Sequence, residues 1–78
     1  MESKICTYSE KNIRLQLVRI QEDGSSDMCL EIRLNRKVLF RMFRSEFVYV
    51  GTFARLMFNH YVHEISINRR SNLSHMTL

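Results

Sequence analysis

The chain has 78 residues, of which 45% are hydrophobic and 26% are charged, a composition typical of one small folded domain. It is too short for a dinucleotide-binding fold, and its longest apolar stretch without a charge, residues 47–54, is far shorter than the ~20 residues of a membrane-spanning helix. Twelve Lys and Arg against eight Asp and Glu give a net charge of +4, which favours anionic partners.

The positive charge is concentrated in the second part of the chain. Residues 1–31 carry four Lys or Arg and six Asp or Glu, whereas residues 32–78 carry eight and two. Nine of the twelve cations are arginine, whose planar guanidinium pairs with carboxylates and phosphates through two parallel hydrogen bonds. The pattern favours a recognition surface, and a solvated basic face without a partner is the alternative.

The first predicted strand follows a segment without sustained periodicity. Residues 1–11 are therefore left out of the predicted sheet, although three side chains in them fit a short lead-in strand (Ile5, Cys6 and Tyr8). From Ile13 onward, apolar residues at every second position predict a strand with one buried face. A change of phase at Leu17 and Val18 predicts either a bulge in this strand or the end of its buried part.

Two further strands follow a polar loop. Residues 22–27 contain an Asp-Gly pair and two serines, which is the chemistry of a reversing connection. The next strand alternates its buried positions, and a two-residue turn at Asn35 and Arg36 is predicted because Asn tolerates a positive φ. The buried positions predicted for these two strands are Leu30, Ile32, Leu34, Val38, Phe40 and Met42.

A long amphipathic helix is predicted to follow the strands. Ser45 fits the N-cap position and Glu46 the positive end of the helix dipole. Apolar residues then recur at spacings of three and four, at Phe47, Val50, Ala54, Met57, Phe58, Tyr61 and Ile65. Gly51 falls on this stripe, where its small size would permit close contact with the sheet. The alternative is a fourth strand at residues 47–50 and a shorter helix, 53–64, capped by Thr52.

These elements predict an α+β domain in ββ-β-α order. A three-stranded antiparallel meander would be followed by one long helix packed on one sheet face, since a sheet with one apolar face needs a covering layer. The domain would span residues 1–67, and residues 68–78, with Arg69 and Arg70, would form a flexible basic tail.

The sheet face away from the helix is the predicted binding surface. Alternation places the side chains of Arg14, Gln16, Cys29, Glu31, Arg33, Leu39, Arg41 and Phe43 on this face. Arginine and aromatic residues are the enriched anchors of protein interfaces. The predicted binding residues are Arg14, Arg33, Arg36, Arg41, Phe43 and Arg44. Ordinary cross-strand pairing of Glu31 with an arginine is the functionally neutral alternative.

The helix offers a second candidate surface, because its apolar residues extend beyond one stripe. A helix that is apolar over much of its circumference favours a partner, and a domain of this size gains stability by association. Homodimerisation is therefore predicted through Val48, Phe53, Leu56 and Val62. The alternative is a monomer in which residues 5–8 cover these side chains.

No pattern for catalysis, a metal or a cofactor is present in the sequence. His60 and His63 do not follow HExxH spacing. Glu64, Cys6, Cys29 and His75 are residue types that can bind a metal, but together with the two histidines they match no metal-site motif. With two glycines in the chain, a phosphate-cradling loop is not expected. The two cysteines are expected to be free thiols, because no secretory segment opens the sequence.

The sequence therefore predicts a small basic, non-catalytic binding protein in the cytoplasm. Its expected partner is another protein with an acidic surface, as in regulators and inhibitors carried by viruses and mobile elements. The first alternative is a module that binds single-stranded RNA or DNA through the arginine-bearing sheet face and the tail. The second is a small ribonuclease using His60 or His63 as acid and base.

Overall fold

One helix packs on one face of an antiparallel sheet. The structure is a computed structural model that describes residues 1–24 and 26–70, with side chains described up to residue 67. In chain order the elements are β1 (Glu2–Glu10), β2 (Ile13–Ile20), β3 (Cys29–Leu34), β4 (Lys37–Phe43), a 3-10 turn (Arg44–Glu46) and α1 (Val50–Arg70). The strands lie in the order β1-β2-β3-β4, each antiparallel to its neighbour. The predicted α+β class is confirmed.

The prediction of three strands is wrong, because residues 2–10 form a fourth. This strand, β1, pairs with β2 over its whole length, and Ile5 is an extra residue between Lys4 and Cys6. Such a bulge shifts the side-chain alternation by one position, so Cys6 and Tyr8 face α1 while Lys4 points to the other side. The broken alternation in a largely polar edge strand explains why sequence periodicity did not identify it.

The irregularity predicted within β2 lies in its neighbour instead. Val18 pairs with Lys4 and Leu17 pairs with Cys6, so the extra residue belongs to β1, and β2 is continuous. Leu17 and Val18 are both buried although they point to opposite faces. Leu17 lies under α1, whereas Val18 lies on the other face, where its strand partners are Lys4 and Glu31.

The predicted strands β3 and β4 and the two-residue turn between them are confirmed. Asn35 in this turn has the positive φ of 55° that the prediction required. In β4, however, Phe40 pairs with Ile32 and Val38 pairs with Arg33, so Leu39 is an extra residue.

This bulge in β4 reverses the predicted sides of two side chains. Val38, expected in the core, shares the face of its strand partner Arg33 and is exposed. Leu39, expected on the outer face, is half-buried against the core. The alternating pattern predicted the wrong side of the sheet for both side chains, because alternation holds only in a strand without a bulge.

The helix starts between the two predicted positions. Ser45 lies in the 3-10 turn, where its hydroxyl donates a hydrogen bond to Asp27 Oδ2 at 2.8 Å, and Phe47 is extended. Residues 47–49 are therefore neither helix nor strand, and α1 begins at Val50. The expected close contact of Gly51 with the sheet is also wrong, because Gly51 is exposed and an added Cβ would meet no atom within 4 Å.

The core lies between α1 and the sheet. One side of the helix is buried at Val50, Ala54, Phe58 and Ile65, which pack with Leu15, Leu17, Leu30, Ile32 and Met42 of β2, β3 and β4. Of the predicted tail, residues 68–70 continue the helix and residues 71–78 lie outside the described part of the chain. In the described residues, no helix is both long and apolar enough to cross a membrane.

Candidate functional site

The sheet face opposite α1 is called here the open face. It carries arginines from β2, β3 and β4. Arg14 of β2 shares this face with Arg33 of β3 and Arg41 of β4, because side chains alternate along a strand and paired residues point to the same side. The structure thus places these three predicted binding residues on one uncovered side of the sheet.

A buried carboxylate holds two of these arginines. Glu31, which is 4% exposed, accepts hydrogen bonds from Arg33 Nε at 2.9 Å and from Arg41 Nε at 2.7 Å. The remaining guanidinium nitrogens of Arg33 donate to both carboxylate oxygens of Glu2, each at 3.2 Å. Arg33 and Arg41 are therefore engaged with carboxylates of their own chain.

The charges in this network stabilise one another. Hydrogen bonding from Arg33, together with its positive charge, lowers the pKa of the Glu2 carboxyl. The same bonds to Glu2 and Glu31 raise the pKa of Arg33. Within this network two carboxylates balance the two guanidinium charges, so Arg33 and Arg41 attract an anionic partner only weakly.

A basic cleft lies at one end of the sheet, between two turns. Because β2 pairs with β3, the β1–β2 turn and the β3–β4 turn lie side by side. The backbone N–H of Asn35 donates to the carbonyl oxygen of Arg14 at 2.7 Å, and the N–H of Arg14 donates to Asn35 Oδ1 at 3.0 Å. The cleft has a volume of about 620 Å³ and is lined by Ser9, Lys11, Asn12, Ile13, Arg14, Gln16, Leu34, Asn35, Arg36 and Lys37.

The charged residues that line the basic cleft are all positive. They are Lys11, Arg14, Arg36 and Lys37, and all four are exposed. The ion pairs among the described residues involve Arg33 and Arg41 and none of these four. Their charges are not neutralised by a neighbouring carboxylate of the described chain, and the amides of Asn12, Gln16 and Asn35 add hydrogen-bonding groups to the same walls.

The other two predicted binding residues lie at the opposite end of the sheet. Phe43 pairs with Cys29 at the start of β3, about 17 Å along the strand from the basic cleft at ~3.3 Å per residue. It lines a smaller cavity of about 350 Å³ with Ile20, Glu22, Asp27, Met28, Cys29, Glu31 and Arg41. Arg44 follows in the 3-10 turn. The six predicted residues thus do not form one site: Arg14 and Arg36 line the basic cleft, whereas Arg41 and Phe43 line the smaller cavity.

The structure does not bring together the four residues predicted for a dimer interface. Val48 is 89% exposed and Leu56 is 63% exposed. Phe53 is half-buried, and its ring stacks on Phe47 with centroids 5.4 Å apart. Val62 is half-buried against the core, and its position on the helix lies well away from that of Leu56.

Neither the thiols nor the histidines form a reactive cluster in the described residues. Both Cys6 and Cys29 are free, and the sheet separates them because they face opposite sides of non-adjacent strands. Burial raises the pKa of the Cys29 thiol. No group of three or more His, Cys, Asp or Glu that could hold a metal occurs in the same part of the chain. The side chains of Arg69, Arg70 and His75 lie outside the part of the chain whose side chains the structure describes.

Of the four cations of the basic cleft, sequence reasoning missed two, Lys11 and Lys37. Lys11 lies in the β1–β2 turn with a φ of 54°, and Lys37 begins β4 directly after the β3–β4 turn. Identifying β1 as a strand would have placed both turns at the same end of the sheet, because neighbouring antiparallel hairpins put alternate turns together. The signal was therefore present, but it depended on the missed strand.

Comparison of the chain with protein-family models, with curated proteins and with solved structures found no match.

Proposed function

We propose that this protein is a non-catalytic binding protein that engages an acidic segment of another protein at the basic cleft, as a regulator or inhibitor of that protein would. The observation that carries the proposal is the set of four exposed cations around one cleft, none of them in an ion pair with another described residue. Arg14 and Arg36 can grip a carboxylate through two hydrogen bonds each, while Lys11 and Lys37 contribute positive charge.

The shape and chemistry of the cleft favour a peptide over single-stranded nucleic acid. Binding of unpaired bases uses aromatic side chains on which the bases stack, close to the cations that hold the phosphates. No aromatic residue lines the cleft, and Phe43 lies at the other end of the sheet. Amide side chains at Asn12 and Asn35 suit the hydrogen-bonding groups of an extended peptide backbone.

The cleft also differs from the site of a small ribonuclease. Neither His60 nor His63 lines it, and both are exposed on α1. General acid–base chemistry needs such a group within hydrogen-bonding reach of the bound substrate. The arrangement of the described residues therefore supports binding and offers no support for phosphodiester cleavage at this site.

The test compares two anionic probes on matched variants. A fluorescent peptide rich in Asp and Glu and a single-stranded oligonucleotide of equal net charge are titrated with the full chain at about 50 mM salt, where electrostatic binding is strong. In one variant Arg14→Glu and Arg36→Glu remove the cleft cations. In the control, Arg44→Glu and Arg55→Glu make the same change in net charge elsewhere.

We expect the cleft variant to lose at least about tenfold in peptide affinity, equivalent to ~1.4 kcal/mol, while the control retains most of it. Equal losses in both variants would mean that only net charge matters and would refute the cleft. Tighter binding of the oligonucleotide than of the peptide, with a salt dependence of several units on a log–log plot, would favour the nucleic-acid alternative instead.

A further inference from the structure

The side of α1 that faces away from the sheet carries a second regular pattern, called here the outer stripe. Its members are Tyr49, Phe53, Leu56, His60, His63 and Ile67. The spacings between them alternate between four and three residues, which is the repeat of the contact positions in a pair of coiled helices. The helical hydrogen bond from Phe53 N–H to the Tyr49 carbonyl, at 3.0 Å, brings Tyr49 into the same repeat.

The outer stripe is open to solvent and apolar at both ends. Tyr49, Leu56 and Ile67 are among the exposed large hydrophobic residues. Phe53, at the edge of the stripe, is half-buried, because its ring also packs on Phe40 of β4 with centroids 6.1 Å apart. The opposite side of the helix is occupied by the core through residues such as Ala54 and Phe58. An amphipathic helix in a monomer normally shows polar residues on its outer side, so the second apolar pattern indicates a docking surface.

We propose that the outer stripe pairs with the outer stripe of a second copy of this chain, with the two helices antiparallel. This interface lies on α1 and does not depend on the basic cleft. In the antiparallel register each layer joins one residue from each half of the stripe: Tyr49 meets Ile67 of the other copy, Phe53 meets His63 and Leu56 meets His60. The bulky first half of one helix thus faces the more polar second half of the other.

The charge distribution supports a second copy as the occupant. Two molecules that each carry a net charge of +4 repel, so self-association requires a surface without fixed cations. The outer stripe has none, and the flanking positions on one side, Thr52, Asn59 and Ser66, are uncharged. On the other side, Val50 is buried in the core and Met57 is half-buried, so neither adds a charge to the surface. Glu64 falls opposite Val50 of the other copy, so like charges do not meet.

The expected dimer is weak, because the contact is short. From Tyr49 to Ile67 the stripe extends about 27 Å at ~1.5 Å per residue, and a single pair of helices of this length lies at the small end of specific interfaces. We therefore expect a dissociation constant in the micromolar range, and in dilute solution the domain remains monomeric.

Sedimentation equilibrium of the full chain, at concentrations from about 10 to 500 µM, measures a dimer dissociation constant in this range. We expect reversible dimerisation in the wild-type protein and at least tenfold weaker association in Leu56→Glu. Because Leu56 is exposed, we expect its replacement to leave the fold intact, which the circular dichroism spectrum of the variant should show. The matched control is Val38→Glu, an equal apolar-to-acidic change at an exposed site on the open face. A monomer at every concentration, or equal losses in both variants, would overturn the proposal.

A charge exchange tests the antiparallel register. Leu56→Glu and His60→Lys each place a fixed charge in the layer that joins Leu56 and His60, and each alone should weaken the dimer. Together, in antiparallel helices, each Glu faces a Lys of the other copy, so the double variant should associate more tightly than either single variant. In parallel helices the like charges would face each other, and a double variant weaker than both single variants would refute the register.

Discussion

Replacing Glu31 by glutamine tests whether the ion network on the open face organises the sheet. The carboxylate is almost completely buried and accepts two short hydrogen bonds, from Arg33 and Arg41. Glutamine keeps the size of the side chain but removes its charge, and its amide group can accept at one oxygen only. The substitution therefore removes the interaction with little change in packing.

The size of the effect follows from how exposed the two arginines are. Removing one partner of a fully buried pair costs ~3–5 kcal/mol, and an exposed pair contributes ~0–1 kcal/mol. The side chains of Arg33 and Arg41 are 23% and 52% exposed, so water can replace part of what Glu31 provides. We expect a loss of about 2 kcal/mol in unfolding free energy, which lowers the melting temperature of a domain this small by roughly 8–16 °C.

Urea unfolding measures this loss as a lower midpoint with an unchanged slope, because the fold and the buried surface stay the same. The control is Glu2→Gln, which removes the exposed carboxylate at the other side of Arg33 and should leave the midpoint almost unchanged. Equal shifts in the two variants would show that burial of Glu31 adds nothing, and the assignment of this network as a structural centre would be wrong.

Three further outcomes are expected. Gly51→Ala should stabilise the domain by about 0.5–1 kcal/mol in thermal unfolding, since the helix has space for the methyl group; a lower stability would contradict that space. Hydrogen bonds from Ser45 and from the Met28 N–H lower the pKa of Asp27, so its stabilising effect is present above about pH 4 and lost as the pH falls further through its folded value. Ser45→Ala should therefore flatten the acid limb of the stability curve, and an unchanged limb would refute this. In native protein at pH 8, iodoacetamide should modify the half-buried Cys6 before the buried Cys29, whose pKa is raised; mass spectrometry showing equal rates would contradict the burial.

The elements that local patterns determine were predictable from the sequence. The strands β3 and β4 were identified from their apolar alternation, and they are joined by a turn whose first residue, Asn35, takes the positive φ that few residues tolerate. These signals depend on residues that are adjacent in the chain. For the same reason, the buried side of α1 at Ala54 and Phe58 agrees with the three-four spacing of the sequence.

The remaining differences arise where pairing between distant residues decides the outcome. The bulges at Ile5 and Leu39 are defined by the register with neighbouring strands, and a single sequence does not contain that register. The start of α1 depends on Asp27, which binds Ser45 from another loop and keeps it out of the N-cap position expected for it.

The candidate site was only partly predictable for a similar reason. The sequence predicted that Arg14, Arg33 and Arg41 would share one face, which requires only alternation. The pairing of Glu31 with one arginine was the functionally neutral alternative, and the structure shows that Glu31 pairs with Arg41 and also with Arg33. The second bond was not predicted, because it depends on the positions of side chains that the sequence does not contain. The cations of the basic cleft instead lie in the two turns (Lys11 and Arg36) or at the strand ends next to them (Arg14 and Lys37), and the strand partners of Arg14 and Lys37 carry no charge.

The two bulges also have a consequence for how the protein meets other chains. They lie in the outermost strands β1 and β4, where unpaired backbone groups would otherwise offer a template for lateral growth of the sheet. An extra residue breaks the even spacing of those groups and increases the local twist. A foreign strand would find no long, flat border to extend, so this architecture disfavours fibril-like stacking and directs encounters toward side chains.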